Sequence, residues 1–238
     1  MRTDLDDLKR VKNLAGGTVN DAVIAAVAGG LGRFLRGRGH STAGVELRAM
    51  VPISVRTADE HGALGNRVSA MMAPLPVGRR DPIDRLEVVS QTMRHLKSSS
   101  QAVGARLLTD VTNFTPPTIA AQAARLQSYQ RFFNTVVTNV PGPQFPLYLL
   151  GRQLLDIFPM VPLAANQAVC FGIMSYNGGV NFGLVADYDS MPDLDALAHD
   201  LEASVGELVE AAGSTERTGV GQANGAKGRQ QAQAQQQI

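Results

Sequence analysis

The sequence predicts an α/β protein, a mixed sheet with helices packed on it. Three observations predict it. Strand-like runs alternate along the chain with stretches of three- and four-residue apolar spacing. One pair of strand-like runs, CFGIMSYNGGVNFGLVADY (170–188), meets at Asn177-Gly178-Gly179, the turn chemistry of a tight hairpin, so the sheet is not purely parallel. And 238 residues with 44% hydrophobic content are enough to bury a sizeable core.

The elements follow in order. GGTVNDAVIAAVAGGLGRFLRGRG (16–39) reads as a helix over 18–38 with a wide small-residue face. Thr18-Val19-Asn20-Asp21 has the form of a capping box, with Thr18 as N-cap and Asp21 three residues on, near the positive end of the helix dipole. Its Gly and Ala positions would let a neighbour approach closely, at a cost of up to about 1 kcal/mol per Gly in helix propensity. VELRAMVPISVR (45–56) and NRVSAMMAPL (66–75) read as strands joined by a charged loop. After Asp81-Pro82, the residues Ile83, Leu86, Val89, Met93 and Leu96 mark an amphipathic helix. A further helix fits 117–132, with Pro117 in its first turn. FNTVVTNV (133–140) is β-branched and reads as a strand ended by Pro-Gly-Pro. A last amphipathic helix, from Met191, is expected to stop at Gly213. The remainder, 213–238, lacks large apolar residues and ends in a Gln/Ala run, so a disordered tail is expected there.

Bulk properties exclude more than they assert. A net charge of +1 gives no electrostatic reason to expect a nucleic-acid partner. Cys170 is the only cysteine, so no internal disulfide forms, and a reducing compartment fits. The opening MRTDLDDLKRVKN is charged and does not read as a secretory leader. The most apolar region, 145–174, is broken by Arg152, Asp156, Pro159 and Pro162, short of the roughly 20 apolar residues of a membrane span. A soluble or peripheral cytoplasmic protein is expected.

Few residues of the sequence stand in a pattern that carries catalytic chemistry. His40, His61, His95 and His199 have no neighbouring His or Cys at ligand spacing, so no metal site is expected. The positions four residues beyond them hold Gly44, Gly65, Ser99 and Ala203, so none begins a His-to-Asp pair of that spacing. All four read as solvated surface histidines. The glycines of AGGLGRF fall inside a predicted helix rather than after a strand, a poor match to a nucleotide cradle. Asp21 can be read as chemistry or as a helix start; with no base partner in view, the helix start is favoured. No catalytic residue is assigned.

Five separated segments together resemble one family. They are the Asn20-Asp21 pair heading a helix, LRAMVPISVR, LGNRVS, NTVVTNVPGPQFPLYLLG and GGVNFGLVADYDSMPD, in that order over about residues 10–210. The bacterial wax ester synthase/diacylglycerol acyltransferases carry similar segments in the same order, in the C-terminal half of a chain about twice as long. The resemblance implies one half of the two-domain fold of CoA-dependent acyltransferases, similar to chloramphenicol acetyltransferase and to peptide-synthetase condensation domains, with the active-site tunnel between the halves. It implies this division: 1–15, remnant of an inter-domain connection; 16–212, the C-terminal domain; 213–238, the tail. The family's His-His-x-x-x-Asp-Gly motif is absent from this sequence.

The implied activity is acyl transfer from long-chain acyl-CoA, a substrate rather than a cofactor, to diacylglycerol or a fatty alcohol. An N-terminal acyltransferase domain supplied in cis or in trans would bring the His base. Peripheral attachment to membranes or lipid droplets would follow from such substrates. By resemblance, Asn20 and Asp21 support the tunnel. Asn139, Pro141, Gly142 and Pro143 either hold a rigid turn at its mouth or simply end a strand. Thr18, Arg56 and Asn66 are structural. A buried, unpaired Arg56 would be costly, so a carboxylate or carbonyl partner is predicted. The apolar runs 145–164 and 169–174 fit a tunnel wall, and equally ordinary core. An exposed apolar patch larger than about a few hundred Å² is predicted where the other half would sit. The competing readings are a non-catalytic lipid- or acyl-binding module and a pseudo-enzyme partner of a full-length homologue.

Overall fold

The computed structural model describes residues 1–54, 68–98, 133–164 and 166–235. Arg56, Asn66, His61 and the helix predicted over 117–132 lie outside the described residues.

Six strands form one sheet in the order β1-β8-β7-β4-β2-β3. They are β1 (Arg2–Asp4), β2 (Leu47–Ser54), β3 (Val68–Leu75), β4 (Thr135–Pro141), β7 (Val169–Tyr176) and β8 (Gly179–Ala186). Two short strands, β5 (Tyr148–Leu149) and β6 (Arg152–Gln153), pair separately as a small hairpin. β2, β4 and β7 run parallel, while β1, β8 and β3 are antiparallel to their neighbours, so the sheet is mixed as expected. The β7–β8 hairpin turns on Asn177 and Gly178, with φ of 43° and 80°. Two successive positive φ values define the primed turn that matches strand twist, which is why Asn-Gly stands there.

Among the described residues the helices are α1 (Leu5–Leu14), α2 (Val19–Gly37), α3 (Pro82–Ser98) and α4 (Leu194–Gln235). The Thr18 hydroxyl accepts from the Asp21 N–H at 3.3 Å, and the Asp21 carboxylate accepts from the Thr18 N–H at 2.8 Å. The predicted capping box is therefore present, and α2 starts where the sequence starts it. At α3, the Asp81 carboxylate accepts from the N–H groups of Ile83 and Asp84, with Pro82 at the first helical position.

α2 is the centre of the molecule. Every residue from Asp21 to Gly32 is buried, with the sheet on one side and the other three helices around it. Small residues allow this enclosure. A Cβ on Gly30 would lie 2.8 Å from the Leu201 Cα in α4, and one on Gly32 would lie 2.3 Å from the Val77 carbonyl oxygen. Beside them sits Arg85, only 2% exposed. Its Nε donates to the Ala25 carbonyl at 3.0 Å, and Nη1 donates to the carbonyls of Arg79 and Arg80 at 3.1 and 3.2 Å. Glu207 stands 3.6 Å from Nη2. Burial pulls the guanidinium pKa down and Glu207 opposes that pull, so the charge is held by saturation of its donors.

The face of the sheet away from the helices is crossed by the segment between β4 and β7. The Pro159 carbonyl lies over Gly172 and Gly183, which pair across β7 and β8, and a Cβ on Gly183 would come within 1.8 Å of it. The Tyr176 hydroxyl donates to the Leu154 carbonyl at 2.9 Å and accepts from the Leu147 N–H at 2.8 Å. Asn181 donates to the Ile157 carbonyl at 3.0 Å, and Arg2 pairs with Asp156 at 3.0 Å. This arm is bound mainly by polar contacts, with Pro159 and Val161 packed on Gly172, and exposes most of its larger apolar side chains.

One open reading is decided, and the expected end of the last helix is corrected. Val169, Cys170, Phe171 and Ile173 are buried, the apolar ones against the helices, so 169–174 is core rather than a tunnel wall. The Cys170 thiol donates to Gln167 Oε1 at 3.2 Å, and burial pushes its pKa up. Residues 1–15, read as a remnant of a connection, form β1 paired to β8 and α1, whose Leu8 and Val11 are fully buried. α4 continues through Gly213, where its end and the tail's start were expected, to Gln235. Gly213, Gly219, Gly221, Gly225 and Gly228 each cost a helix about 1 kcal/mol, so residue propensity does not account for the continuation.

No single helix among the described residues is long and apolar enough to cross a membrane; α1 and α2 pass that test only together, as a pair bent by 90°.

Candidate functional site at the carboxyl ends of the parallel strands

β2, β4 and β7 end on the same side of the sheet, where α1 and α2 begin and α3 ends. Open α/β sheets bind ligands outside the carboxyl ends of their strands, and here a cleft of about 490 Å³ opens at that edge. Asn139, Pro141 and Ser175 line it from the strand ends, Val19 and Asn20 from the first turn of α2, and Lys97 from the end of α3. Leu5, Val180, Pro52, Gly142 and Gln144 complete the lining.

Four of the six residues assigned to tunnel support therefore meet in one place: Asn20, Asn139, Pro141 and Gly142. The other two do not line it. Asp21 is 1% exposed and turned inward to cap α2. It lies next to Gly17, where a Cβ would be 2.8 Å from Asp21 Oδ2 and 2.5 Å from Ser90 Oγ of α3. The Asn-Asp pair is thus divided, with the carboxylate inside the fold and the carboxamide in the cleft. Pro143 stands behind the cleft, its carbonyl accepting from the Asn177 N–H at 3.0 Å. Thr18 is exposed and acts through its cap.

The Pro-Gly-Pro turn does more than end a strand. Its glycine N–H donates to Ser175 Oγ at 3.2 Å, and Gln144 Nε2 donates to the same oxygen at 3.0 Å. Gln144 Oε1 accepts from the Gly178 N–H at 3.0 Å. These bonds fasten the turn to the β7–β8 hairpin. Gly142 is required by close approach, since a Cβ there would lie 2.2 Å from the Ser175 carbonyl oxygen. Residue-level reading missed Ser175 and Gln144. A signal existed: on the helix-facing side of β7, Val169, Phe171 and Ile173 are followed by a single polar residue, Ser175.

The cleft is a mostly apolar concavity with a few convergent polar groups, the usual form of a small-molecule site. Its polar groups are carboxamides, a hydroxyl and one ammonium, so it can hold and orient a ligand. His40, His95 and His199 are exposed on the surface outside it. Among the described residues, no three His, Cys, Asp or Glu side chains are grouped to hold a metal ion.

Fold and cleft together define the class, one α/β half of the chloramphenicol-acetyltransferase-like CoA acyltransferase fold. The chain is similar to the wax ester synthase/diacylglycerol acyltransferase from Marinobacter aquaeolei, with a TM-score of 0.67 and 26% identity, covering 90% of this chain and 48% of that one. The epimerization domain from the third module of tyrocidine synthetase B shares the fold, with a TM-score of 0.58 at 12% identity. Residues 64–209, more than half of the chain, match the model of the WS/DGAT C-terminal domain, and the chain belongs to that family.

Two curated relatives are probable diacylglycerol O-acyltransferases of Mycobacterium tuberculosis, tgs1 and tgs2. The first is 34% identical over 210 residues, 87% of this chain and 45% of its own length. The second is 35% identical over 211 residues, 88% of this chain and 46% of its own length. The chain spans about half the length of the curated relatives it matches.

Proposed function

We propose that this chain is the C-terminal half of an O-acyltransferase that moves an acyl group from long-chain acyl-CoA to diacylglycerol or a fatty alcohol. Its cleft is the substrate-bearing wall of the tunnel. A His-bearing half, in cis or in trans, supplies the general base that deprotonates the acceptor hydroxyl; the alkoxide attacks the thioester carbonyl and CoA leaves as the thiol. The observation that carries this reading is the convergence of Asn20, Asn139, Pro141 and Gly142, matched to the family by sequence alone, on one cleft at the strand ends.

The arm between β4 and β7 supports the same reading. Phe145, Tyr148, Leu149, Leu150, Leu155 and Met160 are between 61% and 95% exposed. Contiguous apolar exposure of this kind marks an interaction surface, and the arm continues from the Pro-Gly-Pro turn at the cleft, where the second half would close the tunnel. Cytoplasmic placement, with peripheral attachment to membranes or lipid droplets, belongs to the proposal because the acceptor is a lipid.

The test is direct binding of dodecanoyl-CoA to the chain, measured by calorimetry. Val19→Trp, its fold checked by circular dichroism, adds an indole at the first residue of α2, which lines the cleft and is only partly buried against the edge of the core. It is expected to weaken binding at least about tenfold, as steric filling of a preformed site does. Unchanged affinity in Val19→Trp would place the ligand elsewhere and contradict the reading.

A further inference from the structure

Ser175 is 8% exposed and lies on the cleft side of β7, opposite Pro141 of β4 and Val180 of β8. Its oxygen accepts two hydrogen bonds, from the Gly142 N–H at 3.2 Å and from Gln144 Nε2 at 3.0 Å. A hydroxyl has two acceptor sites and one donor. Both acceptor sites are filled by donors held in place, Gly142 packed closely on the Ser175 backbone at the end of the β4–β7 pairing and Gln144 through the Gly178 N–H. The hydroxyl hydrogen is given to no protein acceptor among the described residues. It is therefore oriented by what it receives, and the space left to it is the cleft. Beside it, the carboxamides of Asn20 and Asn139 line the same space without a side-chain hydrogen bond among the described residues.

We propose that Ser175 is a substrate-positioning residue whose hydroxyl donates to a carbonyl oxygen of the acyl ligand held in this cleft. The inference rests on the reading of the cleft as an acyl-substrate site and deepens it by naming the atom recognised. Two sources carry that chemistry, the thioester carbonyl of acyl-CoA and an ester carbonyl of diacylglycerol. An orphan buried donor is costly, so a site built around one rejects analogues that cannot accept from it. No bond is made or broken by Ser175; it holds the carbonyl in place.

The test uses the full chain and four ligands in calorimetry: dodecanoyl-CoA, its thioether S-dodecyl-CoA, dioctanoylglycerol and the corresponding dioctyl diether. Each pair differs in the carbonyl. Wild type is expected to prefer the carbonyl-bearing member of one pair, and that pair identifies the source. Ser175→Ala is expected to lose that preference, with a roughly five- to tenfold weaker affinity for the carbonyl ligand and no change for its partner. Ser175→Thr, which keeps the hydroxyl, is expected to retain the preference. Gln144→Ala breaks the same Ser175–Gln144 bond but leaves the hydroxyl hydrogen, so its loss should be clearly smaller.

Equal losses for both members of a pair, or a Gln144→Ala loss as large as that of Ser175→Ala, would reduce Ser175 to a clamp on the turn and overturn the inference. Binding by wild type with no effect of Ser175→Ala would also overturn it while leaving the acyl-site reading intact. Failure of wild type to bind any of the four would remove that reading, and the inference with it.

Discussion

At Asn20 and Asp21, adjacent residues of one motif serve different ends. Asp21 closes the capping box with Thr18 inside the fold, and Asn20 faces the cleft. The first half of this was legible in the sequence because capping is a local pattern of three-residue spacing. The second was not, because which side of the first turn faces the strand ends depends on partners more than a hundred residues away. Removing the Thr18 hydroxyl leaves the Asp21 N–H without its side-chain acceptor. Thr18→Ala is expected to lower unfolding free energy by about 1 kcal/mol, read in urea denaturation as a lower midpoint with an unchanged slope. A midpoint equal to wild type would show that the cap contributes nothing to α2. Arg85 illustrates the opposite case. A lone Arg in an amphipathic helix reads as surface; its burial depends on distant partners, the Ala25 carbonyl, Ser204 and Glu207, together with the nearby carbonyls of Arg79 and Arg80.

Most elements were legible because each obeys its own periodicity. The β7–β8 hairpin was readable from Asn177-Gly178-Gly179, and α2 and α3 from their caps and apolar spacing. The arm was not readable as structure. Its apolar residues suggested a wall or core, yet it is bound mainly through polar contacts at Tyr176, Asn181 and Asp156 and keeps most of its larger apolar side chains outside. What seats it is the glycine pair Gly172–Gly183, whose missing side chains leave room for the Pro159 carbonyl. Gly183→Ala puts a methyl where that oxygen lies. It is expected to lift the arm, raising the rate of limited proteolysis within 145–164 at least severalfold while the helical core, followed by circular dichroism, is retained. Proteolysis at the wild-type rate would mean that the polar contacts alone hold the arm.

At the scale of the whole molecule, a well-packed half-fold carries an apolar arm on its surface and a cleft at its strand ends. Among the described residues, α2 is enclosed by the sheet and the other helices. Most leucines and aromatics of the arm are exposed; under the proposed pairing of halves, each Leu or Phe fully buried by the second half would contribute roughly 1.5–3 kcal/mol. The chain covers about half the length of its acyltransferase relatives. The most direct test is an acyl-transfer assay with long-chain acyl-CoA and diacylglycerol. It is run on this chain alone, and on this chain mixed with a separately expressed relative's half bearing His-His-x-x-x-Asp-Gly. Triacylglycerol formed only in the mixture is the predicted result. Triacylglycerol from the chain alone, or none from a mixture in which the two halves demonstrably associate, would contradict the account; the second outcome would leave this fold a lipid-binding module.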